Sequence, residues 1–151
     1  MTVNALIRSA FVEDAGVIAA LATELGYPTT TEQAAGRLSA LLARESYFVA
    51  VAEVSSRVVG WVAVERRLLL ESGERAEIVG LIVAATSRRA GIGAALVQAA
   101  ESWARAQGMQ VLSVRSNVAR TDAHPFYEGL GYQRAKTQHA YTKSLAAVRA
   151  E

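Results

Sequence analysis

The sequence contains no cysteine. Disulfides, thiolate metal sites and a cysteine nucleophile are therefore excluded. Only two histidines accompany that absence, so a zinc site has few ligands to draw on and no metal is expected. Two prolines leave no proline-rich hinge. No apolar run reaches the about 20 residues that a bilayer-spanning helix needs; candidates such as Ile78 to Ala85 are short and flanked by charge. Met1 to Arg8 lacks a basic region followed by a long apolar run. No secretory signal is expected there, and the default address is cytoplasmic, away from membrane. An excess of one charge is also missing: 16 Lys and Arg face 14 Asp and Glu, a net charge of +2. The pI of 9.2 needs no more than that slight excess. With no dense basic run and aromatics at 7%, no nucleic-acid partner is expected. The basic residues are mostly arginine, including Arg66, Arg67, Arg88, Arg89, Arg115, Arg120 and Arg134. That bias suits a small phosphorylated ligand at least as well as a polymer.

What is present is a folding composition. The chain of 151 residues is 52% hydrophobic and 20% charged, which fits one domain over 1–151 that buries roughly two thirds of its unfolded surface. The pattern switches between helix and strand periods. Val3 to Arg8 reads as a strand. Val12 to Leu25 reads as a helix, with Val17, Ile18, Leu21 and Leu25 on one face and Gly26-Tyr27-Pro28 as its stop. Thr29-x-x-Glu32 reads as a capping box for a second helix carrying Leu38, Leu41 and Leu42. Tyr47 to Val54, Val58 to Glu65 and Arg75 to Val83 read as an antiparallel meander. Gly91 to Gly108 is helical, with Ile92, Leu96, Ala99, Ala100 and Trp103 in one stripe. Val111 to Arg115 is a short strand. Asp122 to Leu130 is a short helix that tolerates Pro125 only in its first turn. Gln133 to Leu145 supplies one or two last strands. The order β α α β β β α β α β β predicts an α/β domain, with a mixed, mostly antiparallel sheet of six to seven strands and about four helices.

Two segments carry chemistry. In Leu81-Ile82-Val83-Ala84-Ala85-Thr86-Ser87-Arg88-Arg89-Ala90-Gly91-Ile92-Gly93-Ala94, a strand enters a loop that opens a helix at Gly-x-Gly. Glycines let backbone approach an anion, the helix start offers unpaired N–H groups, and the two arginines add charge. Together they form a candidate pyrophosphate cradle. The third small residue of the dinucleotide fingerprint is absent, and no P-loop pattern occurs. A tight turn with close helix packing would read the same way. The second segment runs from Asn117 through Ala123, Phe126 and Tyr127 to Gly131-Tyr132.

Arg88-x-x-Gly91-x-Gly93, then Asn117, then Ala123-x-x-Phe126-Tyr127-x-x-x-Gly131-Tyr132 resembles the GNAT superfamily of N-acetyltransferases. The first block is similar to that family's acyl-CoA pyrophosphate motif and the second to its C-terminal motif. The resemblance implies an acetyl-CoA site on strands that splay apart. Leu81, Ile82 and Val83 would pair by backbone with the pantetheine arm. Arg89, Gly91, Ile92, Gly93 and Ala94 would hold the pyrophosphate, with Arg88 closing over it. Asn117 would contact the pantetheine or order the splayed strands. Tyr127 would lie near the cofactor sulfur. A homodimer is common among such proteins.

Amine acetylation needs a neutral amine, a donor for the acyl oxygen and a proton for the leaving thiolate. A phenol suits the last task, because model phenols and thiols titrate at about 10 and 8.5. Tyr127 is therefore the candidate acid; a packing tyrosine is the alternative. Glu77 is the candidate base. Strict alternation places it on the face of Val79, Leu81 and Val83, and the resemblance to the histone-acetyltransferase branch puts a glutamate at this distance from the Arg-x-x-Gly-x-Gly block. The alternatives for Glu77 are a strand carboxylate paired with arginine and a base acting through water. Ala84-Ala85-Thr86 departs from the Asp-Pro-like pair of many relatives. His124 reads as a solvated or capping residue, and Trp61 and Trp103 as core. Tyr27 stands in the interhelix link, where such proteins often build the acceptor site. The expected partner is a small-molecule or peptide amine, and the expected reaction is direct attack without an acyl-enzyme. The rival is an acyl-CoA-binding module of the same fold without turnover.

Overall fold

The computed structural model describes residues 4–88, 90–115 and 123–146. Two compact units make up the chain, Met1–Arg115 and Ser116–Glu151. The first holds a five-stranded sheet in the order β1 (Leu6–Ser9), β2 (Tyr47–Val54), β3 (Arg57–Leu69), β4 (Gly73–Val83) and β5 (Leu112–Val114). The first three pairings are antiparallel and β4–β5 is parallel. The meander and the mixed sheet follow the sequence pattern.

The strand count does not. Among the described residues there are five strands, not six to seven, and residues 133–146 form none. Those residues are exposed throughout, Tyr141 at 91% and Leu145 at 86%. Gln133-Arg134-Ala135-Lys136-Thr137-Gln138 offers no alternating apolar row to bury on a sheet face.

Three helices cover the sheet. A 3₁₀ turn (Val12–Asp14) leads into α1 (Ala15–Glu24), and α2 (Thr31–Leu42) follows. The capping box of α2 sits one residue later than its sequence signature. Thr30 accepts from the Gln33 amide and donates its own N–H to Gln33 Oε1, each at 3.0 Å. Thr29 instead bonds back to Thr23 Oγ1 and to the Tyr27 carbonyl, closing the link. Leu38 from α2 packs with Val49, Val51 and Ala63, while Leu21 and Ala22 from α1 pack with Ile82. α3 (Ile92–Ala106) takes the other face. Ile92, Leu96, Val97, Ala100 and Ala104 are buried, and Trp103 stacks on Phe48 at 5.7 Å. A Cβ on Gly60 would stand 3.2 Å from Leu96 Cδ1, so α3 lies close against β3. No helix among the described residues is long and apolar enough to cross a membrane.

Two features set stability. Arg8 grips buried Asp14 with two nitrogens, both at 2.9 Å, and the Phe11 amide donates to the same carboxylate at 2.7 Å. The Arg8 hydrogen bonds, with help from the Phe11 amide, hold the Asp14 carboxyl below its ordinary range against the opposing effect of burial. A carboxyl depressed in the fold stabilises above its unfolded pKa, and that stabilisation is lost as pH falls through the folded value. Asp14→Asn is expected to cost about 2 kcal/mol at neutral pH. The gap from the parent should narrow below about pH 4. Denaturant unfolding of both proteins across pH checks this. The second feature is Gly80, where a Cβ would stand 2.7 Å from Trp61 Cζ3. The indole is wedged among Leu21, Val51 and Ile82 and cannot retreat freely. Gly80→Ala is expected to cost about 1–3 kcal/mol, read as a lowered thermal midpoint.

The second unit contains α4 (Ala123–Gly129) and the exposed segment that follows. Pro125 falls in the first turn of α4, the one place its missing N–H is harmless.

Candidate acyl-CoA site

β4 changes phase at Val79. Val64 pairs with Ile78 and Ala63 with Gly80, so Val79 is one extra residue, 48% exposed, against the β3 ladder. Such a bulge bends its strand and breaks parity. This corrects the placement of Glu77. Through its register it shares a face with Gly80 and Ile82, while Leu81 and Val83 lie on the opposite face. Strict alternation fails because the bulge consumes one residue.

Beyond Ile78 the same strand has no partner on its β5 side among the described strands. The β4–β5 ladder ends at Ile78 opposite Val114, while β4 continues to Val83. Ala84 donates its N–H to the Val59 carbonyl at 2.8 Å. By alternation, Ile82 also directs its backbone groups toward β3, and Leu81 and Val83 direct theirs to the opposite side. No described strand pairs with them there. A row of unpaired N–H and C=O groups is the partner that an amide-containing chain requires.

That edge runs into the start of α3. After β4 the chain makes a 3₁₀ turn (Ala85–Ser87), and Ala85 N–H is held by Glu24 Oε1 at 3.0 Å. Arg88 is exposed. Gly91 caps α3 in the left-handed conformation, φ 81 and ψ 5. A β-carbon there would be strained, and glycine carries none. The first bond of the helix runs from Ala95 N–H to the Gly91 carbonyl. The amides of Ile92, Gly93 and Ala94 thus begin the helix without an intrahelical acceptor. Ile92 is 2% exposed and pins this turn to the core. Arg89 and Asn117 lie outside the described residues.

Glu77 is buried in a polar row that crosses four strands. Tyr47 stands opposite Glu65, Glu65 opposite Glu77, and Glu77 opposite Ser113. Arg67 Nη1 donates to Glu77 Oε2 at 3.2 Å, and Ser113 Oγ lies 3.3 Å from Oε1. Arg115 Nε is 3.7 Å from Oε1 on a side chain 72% exposed, where an ion pair contributes little. The Tyr47 hydroxyl donates to Glu65, and this bond, with burial, pushes the phenol above its ordinary range. Sequence reading counted Arg67 and Arg115 only as charge and did not single out Tyr47, Glu65, Ser113 or Glu24. The row would emerge from register arithmetic, since these residues meet only across strands.

Tyr27 is 58% exposed in the link between α1 and α2. Tyr127 is half-buried on α4, its ring edge-on to Phe126 at 5.0 Å and to Tyr132 at 6.1 Å. Its carbonyl accepts from the Leu130 and Tyr132 amides, each at 3.0 Å, which closes the helix end. No group of three or more metal-ligating side chains occurs among the described residues.

The model of the acetyltransferase (GNAT) family matches residues 11–132. An uncharacterized N-acetyltransferase of Bacillus subtilis (strain 168), YhdJ, is 29% identical over 120 residues, covering 80% of this chain and 82% of that protein. A solved structure described as a transcriptional regulator from Bacillus halodurans C-125 superposes with a TM-score of 0.82 at 22% identity, covering 93% of this chain and 100% of that one. The aminoglycoside N-acetyltransferase AAC(6')-Iy, solved with CoA, superposes with a TM-score of 0.85 at 15% identity, covering 95% and 97%. Those two likenesses speak for the fold. The match over 11–132 takes in the β4 edge, the glycine-capped helix and the Phe-Tyr helix together, and by it the chain belongs to the GNAT acetyltransferase family.

Proposed function

We propose that the chain is an acetyl-CoA-dependent N-acetyltransferase that acts on a primary amine. The observation that carries this reading is the continuity between the β4 edge that no described strand pairs and the Gly91-capped start of α3. The two together fit an elongated ligand with amides at one end and a diphosphate at the other. The family match runs from the first compact unit into the second, which supports reading the chain as one acyltransferase domain.

In this reading Leu81, Ile82 and Val83 bind the pantetheine by backbone. Gly91, Ile92, Gly93 and Ala94 hold the diphosphate with Arg89, and Arg88 closes from the solvent side. Asn117 orders the arm. Acetyl-CoA, when bound, supplies the acyl group as a thioester. An N–H on the β4 edge donates to the acyl oxygen as negative charge grows there. Tyr127 protonates the leaving thiolate. Glu77 takes the amine proton through water, since Arg67 and Ser113 already meet its two oxygens. A new N–C bond replaces the C–S bond, and with no cysteine in the chain no acyl-cysteine intervenes. Tyr27 lines the acceptor side.

Calorimetric titration with acetyl-CoA, CoA lacking the 3′-phosphate, and NAD tests the first half of this reading. Saturable micromolar binding of acetyl-CoA, without binding of NAD, is expected. Absence of acetyl-CoA binding at moderate salt would reduce the Arg-x-x-Gly-x-Gly block to a packed turn. The engagement of both Glu77 oxygens favours a second reading, an acyl-CoA-binding module without turnover. Binding without acetylation of any amine in a panel would select it.

A further inference from the structure

The groups that surround Glu77 divide its two oxygens unequally. Oε1 is met by Ser113 of β5 at 3.3 Å and by Arg115, just past the end of β5, at 3.7 Å. Oε2 is met by Arg67 at 3.2 Å. A carboxylate offers about four acceptor positions, so the remaining capacity lies mainly on the oxygen that Arg67 orients. Arg67 is itself held at a second point. Its Nε stands 3.2 Å from Glu65 Oε1, and Glu65 in turn accepts from the Tyr47 hydroxyl. The two arginines differ in how firmly they are placed. Arg67 is 29% exposed and braced by two carboxylates, whereas Arg115 is 72% exposed with one long contact. Arg75, opposite Arg67 on β4, presents its charge on the same face, and its buried Nε has no hydrogen-bond partner.

We infer that Arg67, braced by Glu65 and Tyr47, is a positioning residue that orients Glu77 Oε2 toward the water relaying the amine proton. The role rests on the assignment of Glu77 as proton acceptor. Arg67 touches neither the acyl group nor the amine in this role; it fixes the rotamer of the carboxylate that does the accepting. A planar guanidinium can hold Glu65 and Glu77 at once, which a lysine ammonium does less well.

The test measures steady-state acetylation by the full chain with acetyl-CoA and three amine probes: spermidine, kanamycin and a lysine-containing peptide. The probe accepted best is carried forward. Arg67→Ala is expected to lower kcat by at least about tenfold, with the KM for acetyl-CoA within about twofold of the parent. Arg67→Lys should fall between them, and added methylguanidinium should restore part of the Arg67→Ala rate. A kcat for Arg67→Ala within twofold of the parent overturns the role. So does a loss that neither lysine nor methylguanidinium relieves, because that marks a structural ion pair. Glu77→Gln separates the two claims. Full activity in Glu77→Gln overturns the base assignment and the positioning role with it. A large loss in Glu77→Gln beside an unaffected Arg67→Ala overturns the positioning role alone. Binding of acetyl-CoA with no turnover of any probe also overturns both.

Discussion

Gly91→Asp is expected to weaken acetyl-CoA binding by about 100-fold, equivalent to about 2.7 kcal/mol. Two effects add. The backbone at Gly91 is left-handed at φ 81, a conformation aspartate tolerates better than most residues but still at a cost. The larger effect is charge. A carboxylate at the helix start would face the same N–H groups as the diphosphate and would repel it. Gly91→Ala separates the two, since it keeps the strain without the charge. Calorimetric titration of both variants should show an alanine loss well below the aspartate loss. Equal losses would mean that backbone conformation alone governs the site. Intact affinity in Gly91→Asp would remove the cradle.

Tyr127→Phe is expected to lower kcat by about 100-fold or more, at the modest end of what general acids contribute. The KM for acetyl-CoA should change little, because in the proposed role the deleted hydroxyl would act only as the thiolate departs. The ring keeps its edge contacts with Phe126 and Tyr132, so α4 should survive the change. Steady-state kinetics beside a thermal unfolding curve checks both halves. A kcat within twofold of the parent would leave Tyr127 as a packing residue.

Much of this fold can be read along the chain, because helices and hairpins are local. Val12 to Leu25 repeats at helical spacing, and Tyr47 to Val54 appears as a strand with the observed limits. The glycine before Ile92 marks the helix start, and among the described residues only that position combines a left-handed backbone with a buried anchor one residue later. What was not legible depends on pairing. Parity put Glu77 with Leu81 and Val83, and the extra residue at Val79 reverses that. A bulge leaves no mark on the bulged residue itself; it exists only relative to the ladder beside it. The polar row through Tyr47, Glu65, Glu77 and Ser113 is likewise assembled by register among residues far apart in sequence. The capping box slipped by one because Thr29, Thr30 and Thr31 offer three adjacent hydroxyls. Thr29 is engaged with Thr23 and the Tyr27 carbonyl, so the cap falls to Thr30, which Gln33 answers. Strands expected in Gln133 to Leu145 failed for want of an apolar face to pair.

The additional residue in β4 also separates two demands that one strand must meet. From Ala76 to Ile78 it is an interior strand, paired on both sides; beyond Val79, among the described strands, it is paired with β3 alone. A regular strand would continue in the direction that favours further pairing with its neighbour, whereas a bent one diverges from it. One residue too many for the β3 ladder thus coincides with the end of the described β5 ladder, and Leu81 and Val83 direct their backbone groups to a side where no described strand pairs with them. Binding capacity at this edge costs the core nothing in apolar contact, since the displaced residue, Val79, faces outward.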